Sequence, residues 1–484
     1  MNPAPQPHLP RRDFFRDAAF GIGAMAVADL LARSGELQAA PAEQPLATGL
    51  HHPARAQHVI HIFLGGGLSH IDSFDYKPEL EQYHGQDLPE SFGKADVFFG
   101  KVGRLHQAHY KFARRGQSGL WVSELFPHLA QLADELTVIN SMVAETANHI
   151  PGIFQANTGF RQMGFPAMGA WLSYGLGSVN ENLPSFVVLP DARGIPNAAG
   201  GTFNWSSGFL PAQHQGVAFN TRSEKPILDL VPADQSSAEL QQARLALLKQ
   251  FNQLHAEEQV DTDPLLARIR SYELATRMQT AIPDAMDLAS EPQHIQSLYG
   301  LDKPDTRDVA RNCLAARRLV ERGVRMVQIW TGDGVSWDAH NDILGKGYKS
   351  HTGEALRIDQ PVAGLIRDLK QRGLLESTVL LITTEFGRTP FAQADAGKLS
   401  RGRDHHPQAF TNLLVGAGLK PGIAYGVTDA LGYAAIEDVT TTYDLHATVL
   451  HLLGINHEQL TFYHNGIARR LTNVHGHVVQ KILA

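Results

Sequence analysis

One cysteine, Cys313, stands in 484 residues, so no disulfide forms within the chain and nothing staples the fold covalently. It lies in "DVARNCLAARRLV", whose apolar spacing predicts a helix with the thiol near its buried face, a packing role and not a nucleophile's. Beyond the N-terminal segment, no apolar run approaches the roughly 20 residues needed to span a bilayer. Nor is there a long block of like charge. The formal net charge of -7 leaves no global basic field, so nucleic acid is not an expected partner. Internal repeats and low-complexity tracts are absent as well. Hydrophobic residues at 43% with charged residues at 19% fit an ordinary water-soluble globular protein.

What the chain does have begins at its N-terminus. Arg11 and Arg12 are followed by Asp13, Phe14, Phe15 and Arg16, then by a weakly apolar, Gly- and Ala-rich stretch over residues 18–32. This is the form of a twin-arginine export signal, read by a translocon that moves folded proteins across the bacterial inner membrane. The stretch is too short to span and carries Asp29. Residues 1–42 are therefore expected to be an address, cleaved after Ala40 or Ala42, and the mature protein to work in the periplasm or at the cell surface.

A mature chain of this length fits one large domain with insertions, or two domains. Three apolar runs read as buried parallel strands: "HVIHIFL" at 58–64, "VRMVQIW" at 324–330 and "TVLLIT" at 378–383. Between the last two, "GEALRIDQPVAGLIRDLKQRG" places Leu356, Val362, Leu365, Ile366 and Leu369 on one helical stripe, with Gly373 as C-terminal cap. A parallel pair needs such a crossover, so the expected fold class is α/β: a doubly wound, mostly parallel sheet flanked by helices. Residues 135–142 and 185–190 read as further strands, and 443–454 as a late helix. Residues 238–321 are helical in pattern and read as a helical insertion. Residues 191–221 show no period and read as a functional or partner-covered loop.

Ligands of open α/β sheets bind beyond the carboxyl ends of the strands, and all three predicted strands end in ligand-type residues. The first loop holds Ser69, His70, Asp72 and Asp75; the second, Asp333, Asp338, His340 and Asp342; the third, Glu385 and Arg388. A fourth, "LSRGRDHHPQAF", adds Arg401, Arg403, Asp404, His405 and His406, from a chain unusually rich in histidine at 24 residues. Carboxylates and imidazoles in one cleft suit a metal ion, which polarises a phosphoryl or sulfuryl oxygen or lowers the pKa of a water. Arginines nearby would fork onto the oxyanion. Each loop taken alone also reads as turn and cap chemistry. Of the adjacent His405 and His406, one is expected to be a ligand and the other a hydrogen-bonding neighbour. In "SMVAETANHIPGIFQANTG", Thr146, Asn148 and His149 fall near a helix N-terminus, where anions are favoured. His149 reads as nucleophile, proton shuttle or ligand, or as a helix cap.

These runs carry a resemblance. "RRDFF", "GGGLSHIDSFDYKPEL", "HIPGIFQANTG", "GAWLSYGLGSVNENLPSFVVLP", "ARIRSYELATRMQ", "WDAHND", "TTEFGRTP" and "GRDHHPQAF" resemble, over nearly all of the mature chain, the exported domain of unknown function 1501 family. That family is abundant in planctomycete-type bacteria and grouped with the alkaline phosphatase and sulfatase superfamily. The resemblance implies an alkaline phosphatase-like domain over about residues 55–475, commonly two divalent metal ions (zinc, calcium or manganese), and a nucleophile at a helix N-terminus. It makes Asp338 and His340 look like one ligand group, sets Glu385 where an Asp-His pair is expected, and makes His405 or His406 resemble the late ligand histidine. Departures are also visible. The acidic residue at the end of the first strand is replaced within residues 65–67, leaving Asp72 as a displaced candidate. No Cys-x-Pro-x-Arg or Ser-x-Pro-x-Arg motif is present to make a formylglycine. Thr146 and His149 are the best substitutes for a missing nucleophile.

Two expectations from different classes follow. The first is an exported metal-dependent hydrolase of phosphate or sulfate esters, with a polysaccharide as one substrate type. In it Asp72, Asp338, His340, Glu385, His405 and His406 hold metal, His149 and Thr146 serve the reaction, and Arg388 and Arg403 bind the anion. The second is a non-catalytic exported binding or assembly protein of the same fold, for which the resemblance implies an exported partner with cytochrome-like domains. A metal-dependent mutase or transferase, capped by the helical insertion, is the third.

Overall fold

In the computed structural model, residues 49–484 are described except 93–94, 96–100, 194–199, 224, 228–229, 231–239, 241–242, 245, 249, 253–262, 333 and 395–400. The export signal at 1–42, Asp333, and parts of the 191–221 and 238–321 regions thus lie outside the described residues. The strands that position the site are, in chain order, β1 (His58–Phe63), β2 (Thr137–Val143), β3 (Phe186–Leu189), β4 (Val217–Ala218), β5 (Met326–Trp330), β6 (Thr378–Thr383), β7 (Gly387–Arg388), β8 (His405–His406), β9 (Phe410–Gly416), β10 (Ile423–Tyr425) and β11 (Thr440–Thr441). The helices are α1 (His149–Thr158), α2 (Met168–Leu176), α3 (Asp263–Ala285), α4 (Gln293–Tyr299), α5 (Arg307–Glu321), α6 (His351–Gln371) and α7 (Thr442–Leu452).

A nine-stranded sheet runs in the order β10-β2-β9-β6-β1-β5-β3-β4, with β11 beside β2. The three strands read from the sequence lie together at its centre, with Ile60 of β1 opposite Val327 of β5 and Leu380 of β6. Their runs of Val, Ile and Leu are buried on both faces, as a covered parallel sheet requires. Alternation along β1 sends Ile60 and Ile62 into one core with α5 and α6. Val59 and Phe63 enter another with α1, α2 and α7. The sheet is therefore mixed but mostly parallel and covered by helices on both faces.

One strand breaks the direction. β9 runs antiparallel to both β6 and β2, while the remaining pairings in the sheet are parallel. Its start therefore lies at the edge where the parallel strands end.

Two expectations are revised. The 238–321 region is not an insertion throughout, because α5 is the crossover helix that leads into β5, with Val309, Leu314 and Leu319 in the sheet core. A helical pattern alone does not tell a crossover from an insertion, since both bury part of their surface. In the 191–221 region, Trp205 and Leu210 are buried in the chain's own core. Cys313 is fully buried on α5, and burial pushes its thiol pKa far up, as a packing residue's would be. No helix among the described residues is long and apolar enough to cross a membrane.

Helix α6 forms as its sequence predicts. Ser350 caps it by accepting the Gly353 N–H at 3.3 Å, and Gly373 follows its end at φ +68°. Val362, Leu365, Ile366 and Leu369 are fully buried, whereas Leu356, expected on the same stripe, is 54% exposed. Leu365→Ala should lower unfolding free energy by about 2–5 kcal/mol. Leu356→Ala should change it by less than about 0.5 kcal/mol, both read from urea denaturation.

Candidate functional site

The carboxyl ends of β1, β2, β5 and β6 and the start of β9 meet at one edge, and five short segments fill it. The loop after β1 packs closely against the loop after β5. Gly66 has φ +120°, and a Cβ there would lie 2.6 Å from the backbone nitrogens of Trp337 and Asp338 in the loop after β5. Only glycine permits that contact. Its N–H donates to Glu385 Oε1 and Oε2 at 2.8 and 3.1 Å, so the loop after β1 also fixes the carboxylate at the end of β6.

Asp338 is the centre of the cluster. Its Oδ1 lies 2.9 Å from His340 Nε2, 3.1 Å from His405 Nε2, 3.3 Å from His149 Nε2 and 2.7 Å from Arg388 Nη2. Its Oδ2 lies 2.9 Å from Lys349 Nζ. His149, the first residue of α1, is aimed by Glu385 Oε1, 2.7 Å from its Nδ1. His405 Nδ1 donates to the Ala147 carbonyl at 2.7 Å. Both hydrogen bonds place the second ring nitrogen, Nε2, toward Asp338, the arrangement by which outer partners orient metal-binding histidines. His340 Nε2 and His405 Nε2 are 2.9 Å apart.

Nitrogens and carboxylate oxygens this close require positive charge among them. Burial pushes the Asp338 pKa up, but hydrogen bonds from His149 and His340 and the charge of Arg388 outweigh it and hold the carboxyl far below its usual range. His149 is opposed by burial yet raised above 6.5 by its bonds to Asp338 and Glu385. Burial drives His405 down to about 3.

The residues present fit a metal ion. Two overlapping trios, His149–Asp338–His405 and His340–Asp404–His405, each bring one ligand atom per residue within 4.8 Å of the others. Imidazole and carboxylate donors together suit a borderline divalent ion such as zinc or manganese. Asp404 Oδ1 accepts the His405 N–H at 2.8 Å, while its buried Oδ2 meets no hydrogen-bond donor among the described residues. A buried carboxylate oxygen left so is costly unless a cation satisfies it.

Of the residues expected from sequence, His149, Asp338, His340, Glu385, His405 and Arg388 come together, and others do not. Asp72 and Arg403 form an ion pair with both side chains fully buried and Nε–Oδ2 at 2.6 Å. Arg403 also donates to the carbonyls of Thr389, His106 and Gln107. The pair braces loops and lies outside both ligand trios. His405 and His406 form β8, paired with β7, and neighbours on a strand face opposite ways. His405 thus joins the cluster while His406 hydrogen-bonds the Tyr433 carbonyl. Thr146 accepts the Asn148 N–H in the turn before α1, and Asn148 caps that helix. Arg388 is completely buried and binds the carbonyls of Gly66, Gly67 and Arg403. Lys349 is not among the residues expected from sequence, and Asp404, named with the ligand-type residues of the fourth loop, is not there assigned to the metal. Asp404 adjoins the histidine pair, a signal available in the sequence, whereas Lys349 stands in a loop without a motif.

Fold and site thus define an α/β protein with a histidine–carboxylate cluster at the carboxyl edge of a doubly wound sheet. The chain belongs to the family described as protein of unknown function (DUF1501), whose model matches residues 56–483. No curated protein matches it. Among solved structures it is similar to a protein of the alkaline phosphatase superfamily from Vibrio parahaemolyticus, at 12% identity and TM-score 0.36, over 86% of this chain and 71% of that one. It is also similar to the alkaline phosphatase of the Antarctic bacterium TAB5, at 10% identity and TM-score 0.32, over 76% and 94%. A third is the phosphonate monoester hydrolase of Silicibacter pomeroyi, at 13% identity and TM-score 0.32, over 68% of each chain.

The two carboxylates should separate experimentally. Arg403→Met leaves Asp72 buried without its partner and should cost about 3–5 kcal/mol of stability. Asp338→Asn should instead abolish metal uptake in elemental analysis while Asp72→Asn retains it. Burial raises the Asp72 pKa, but Arg403 and the His109 N–H hold it well below the usual range. Its stabilisation is therefore complete above the unfolded value of about 3.9 and is lost as pH falls through the folded pKa. Asp72→Asn should flatten that acid limb in denaturation measured against pH.

Proposed function

We propose that the protein is an exported, metal-dependent hydrolase of phosphate or sulfate esters with an alkaline phosphatase-like fold, polysaccharide esters being one substrate type. The observation that carries the reading is the convergence of His149, His340 and His405 on a single oxygen of Asp338. Asp338, His340, Asp404 and His405 would hold the ion, with Glu385 orienting His149 beside it. A divalent ion bound there supplies charge against the negative charge that develops on ester oxygens. His149 keeps a proton at the cluster through its two carboxylate partners, and so fits proton delivery to a leaving oxygen better than nucleophilic attack. The low exposure of the surrounding side chains strengthens each of these electrostatic interactions.

A second reading is a binding or assembly protein that retains the ion without turnover, docking an exported partner with cytochrome-like domains. It is favoured by one observation: both arginines expected to receive ester oxygens, Arg388 and Arg403, are completely buried and bonded to the protein itself. The twin-arginine motif supports a working place in the periplasm or at the cell surface for either reading.

Elemental analysis of the purified protein should find one or two equivalents of a transition metal, lost in His405→Ala and Asp338→Asn. With 4-nitrophenyl phosphate and 4-nitrophenyl sulfate, His149→Ala should reduce turnover by about 100-fold or more. Metal retained with no turnover on either ester favours the binding protein. A metal-free wild type, purified without chelators, would sink the hydrolase and leave the binding protein.

A further inference from the structure

We propose that a cavity of about 400 Å³ beside α6 is a ligand site of its own, which takes a small molecule carrying a protonated amine on an apolar carbon body. None of His149, Asp338, His340, Glu385 and His405 lines it, and no metal ion is needed there.

Helical spacing shapes the cavity. Val362, Leu365, Ile366 and Leu369 of α6 turn into the core. Thr352, Ala355, Leu356 and Asp359 recur at intervals of three and four residues, so they share a second face of the helix, and this face lines the cavity. Ala355, and Leu125 from the opposing wall, are buried, while Leu356 stands 54% exposed. Leu356 thus leaves the core stripe because it opens onto this space. Most of the cavity's wall is carbon, interrupted by a few polar groups. That composition, and a volume within the range of about 300–1,000 Å³, are those of small-molecule sites.

Charge selects the ligand. Asp359 is 3% exposed, and its Oδ2 and Oδ1 accept the backbone N–H groups of His128 at 2.6 Å and Leu129 at 2.9 Å. A carboxylate oxygen accepts twice, so each keeps a lone pair for an incoming donor. Burial raises the Asp359 pKa to about 6, against the two N–H groups and the charge of Arg367. Those donors therefore fall short of offsetting its desolvation. Glu124 and Asp305 add two exposed carboxylates to the lining, against the single ammonium of Lys303. Lys303 Nζ donates to Gln360 Oε1 at 2.7 Å, and none of these four charged groups forms an ion pair among the described residues. His128 adds no charge at neutral pH, because burial, Lys303 and Arg367 lower its pKa. Three carboxylates against one ammonium favour a cationic head, and the carbon wall at Leu356 and Leu125 favours an apolar body behind it.

The test uses the full chain as wild type, Asp359→Asn, Glu124→Gln, Leu356→Ala and Val179→Ala, the last removing an exposed apolar side chain outside the cavity. Thermal melts establish which variants fold. Calorimetry at neutral pH then measures phenethylamine and its uncharged counterpart, phenethyl alcohol. Wild type should bind one equivalent of phenethylamine about tenfold more tightly than the alcohol. Asp359→Asn should bring the two probes within about twofold of each other, and Glu124→Gln should narrow the gap by about two- to threefold. Leu356→Ala should weaken both probes about threefold through lost apolar contact, and Val179→Ala should match wild type. A wild type that binds no phenethylamine, or binds amine and alcohol equally, overturns the site. A folded Asp359→Asn that keeps the full preference for the amine overturns the choice of ligand. Should Asp359→Asn not fold, wild-type affinities in both Glu124→Gln and Leu356→Ala overturn the site instead.

Discussion

The site depends on a guanidinium that never meets solvent. Arg388 reaches from β7 to the carbonyls of Gly66 and Gly67 after β1, to the Arg403 carbonyl before β8, and to Asp338 after β5. Three loops far apart in sequence are thereby tied to one planar group. A buried guanidinium is tolerated only when its donors are met, so each loop is constrained to the position that meets them. His340 and His405 converge on one oxygen because the loops that carry them have little freedom left. The same residue adds its positive charge to the hydrogen bonds from His149 and His340 that keep Asp338 ionised among buried rings.

The second constraint is topological. Parallel strands gather their carboxyl ends at one edge, which explains how the loops after β1, β5 and β6 meet. Reversal of β9 brings a further element to that edge, because an antiparallel strand begins where its neighbours end. His405 enters the cluster from that start, with β8 fixing which of the two adjacent histidines faces inward. A ninth strand running with the rest would have placed the late histidines at the opposite edge of the sheet.

Much of this was legible in the sequence, for identifiable reasons. β1, β5 and β6 stand out because strands buried on both faces are nearly continuous aliphatic runs, and ligand-type residues directly after them point to the carboxyl edge. Asp338, His340 and Glu385 are found in that way, whereas His405 comes from a histidine-bearing loop ahead of an apolar run and His149 from its place near a helix N-terminus. What escaped depends on contacts between distant segments. Nothing local marks Asp72 and Arg403 as partners, so each read as a free functional group. β8 is two residues long, too short for alternation to show which histidine turns inward. The crossover helix α5 reads as helical like its insertion-like neighbours, and which of them packs on the sheet depends on contacts with distant strands.

The central pairing of the sheet also bears on how the chain folds. Val59 pairs with Met326 on one side and Val379 on the other, so β1 finds neither neighbour until most of the polypeptide exists. Closing loops of that span before any contact rewards them makes such a topology slow to form. His149 and His405 come from segments just as distant, so the ligand sphere assembles only as the whole sheet does. A metal ion held by these residues would therefore be acquired late in folding, and the metal supply of the compartment in which the chain folds would help select it.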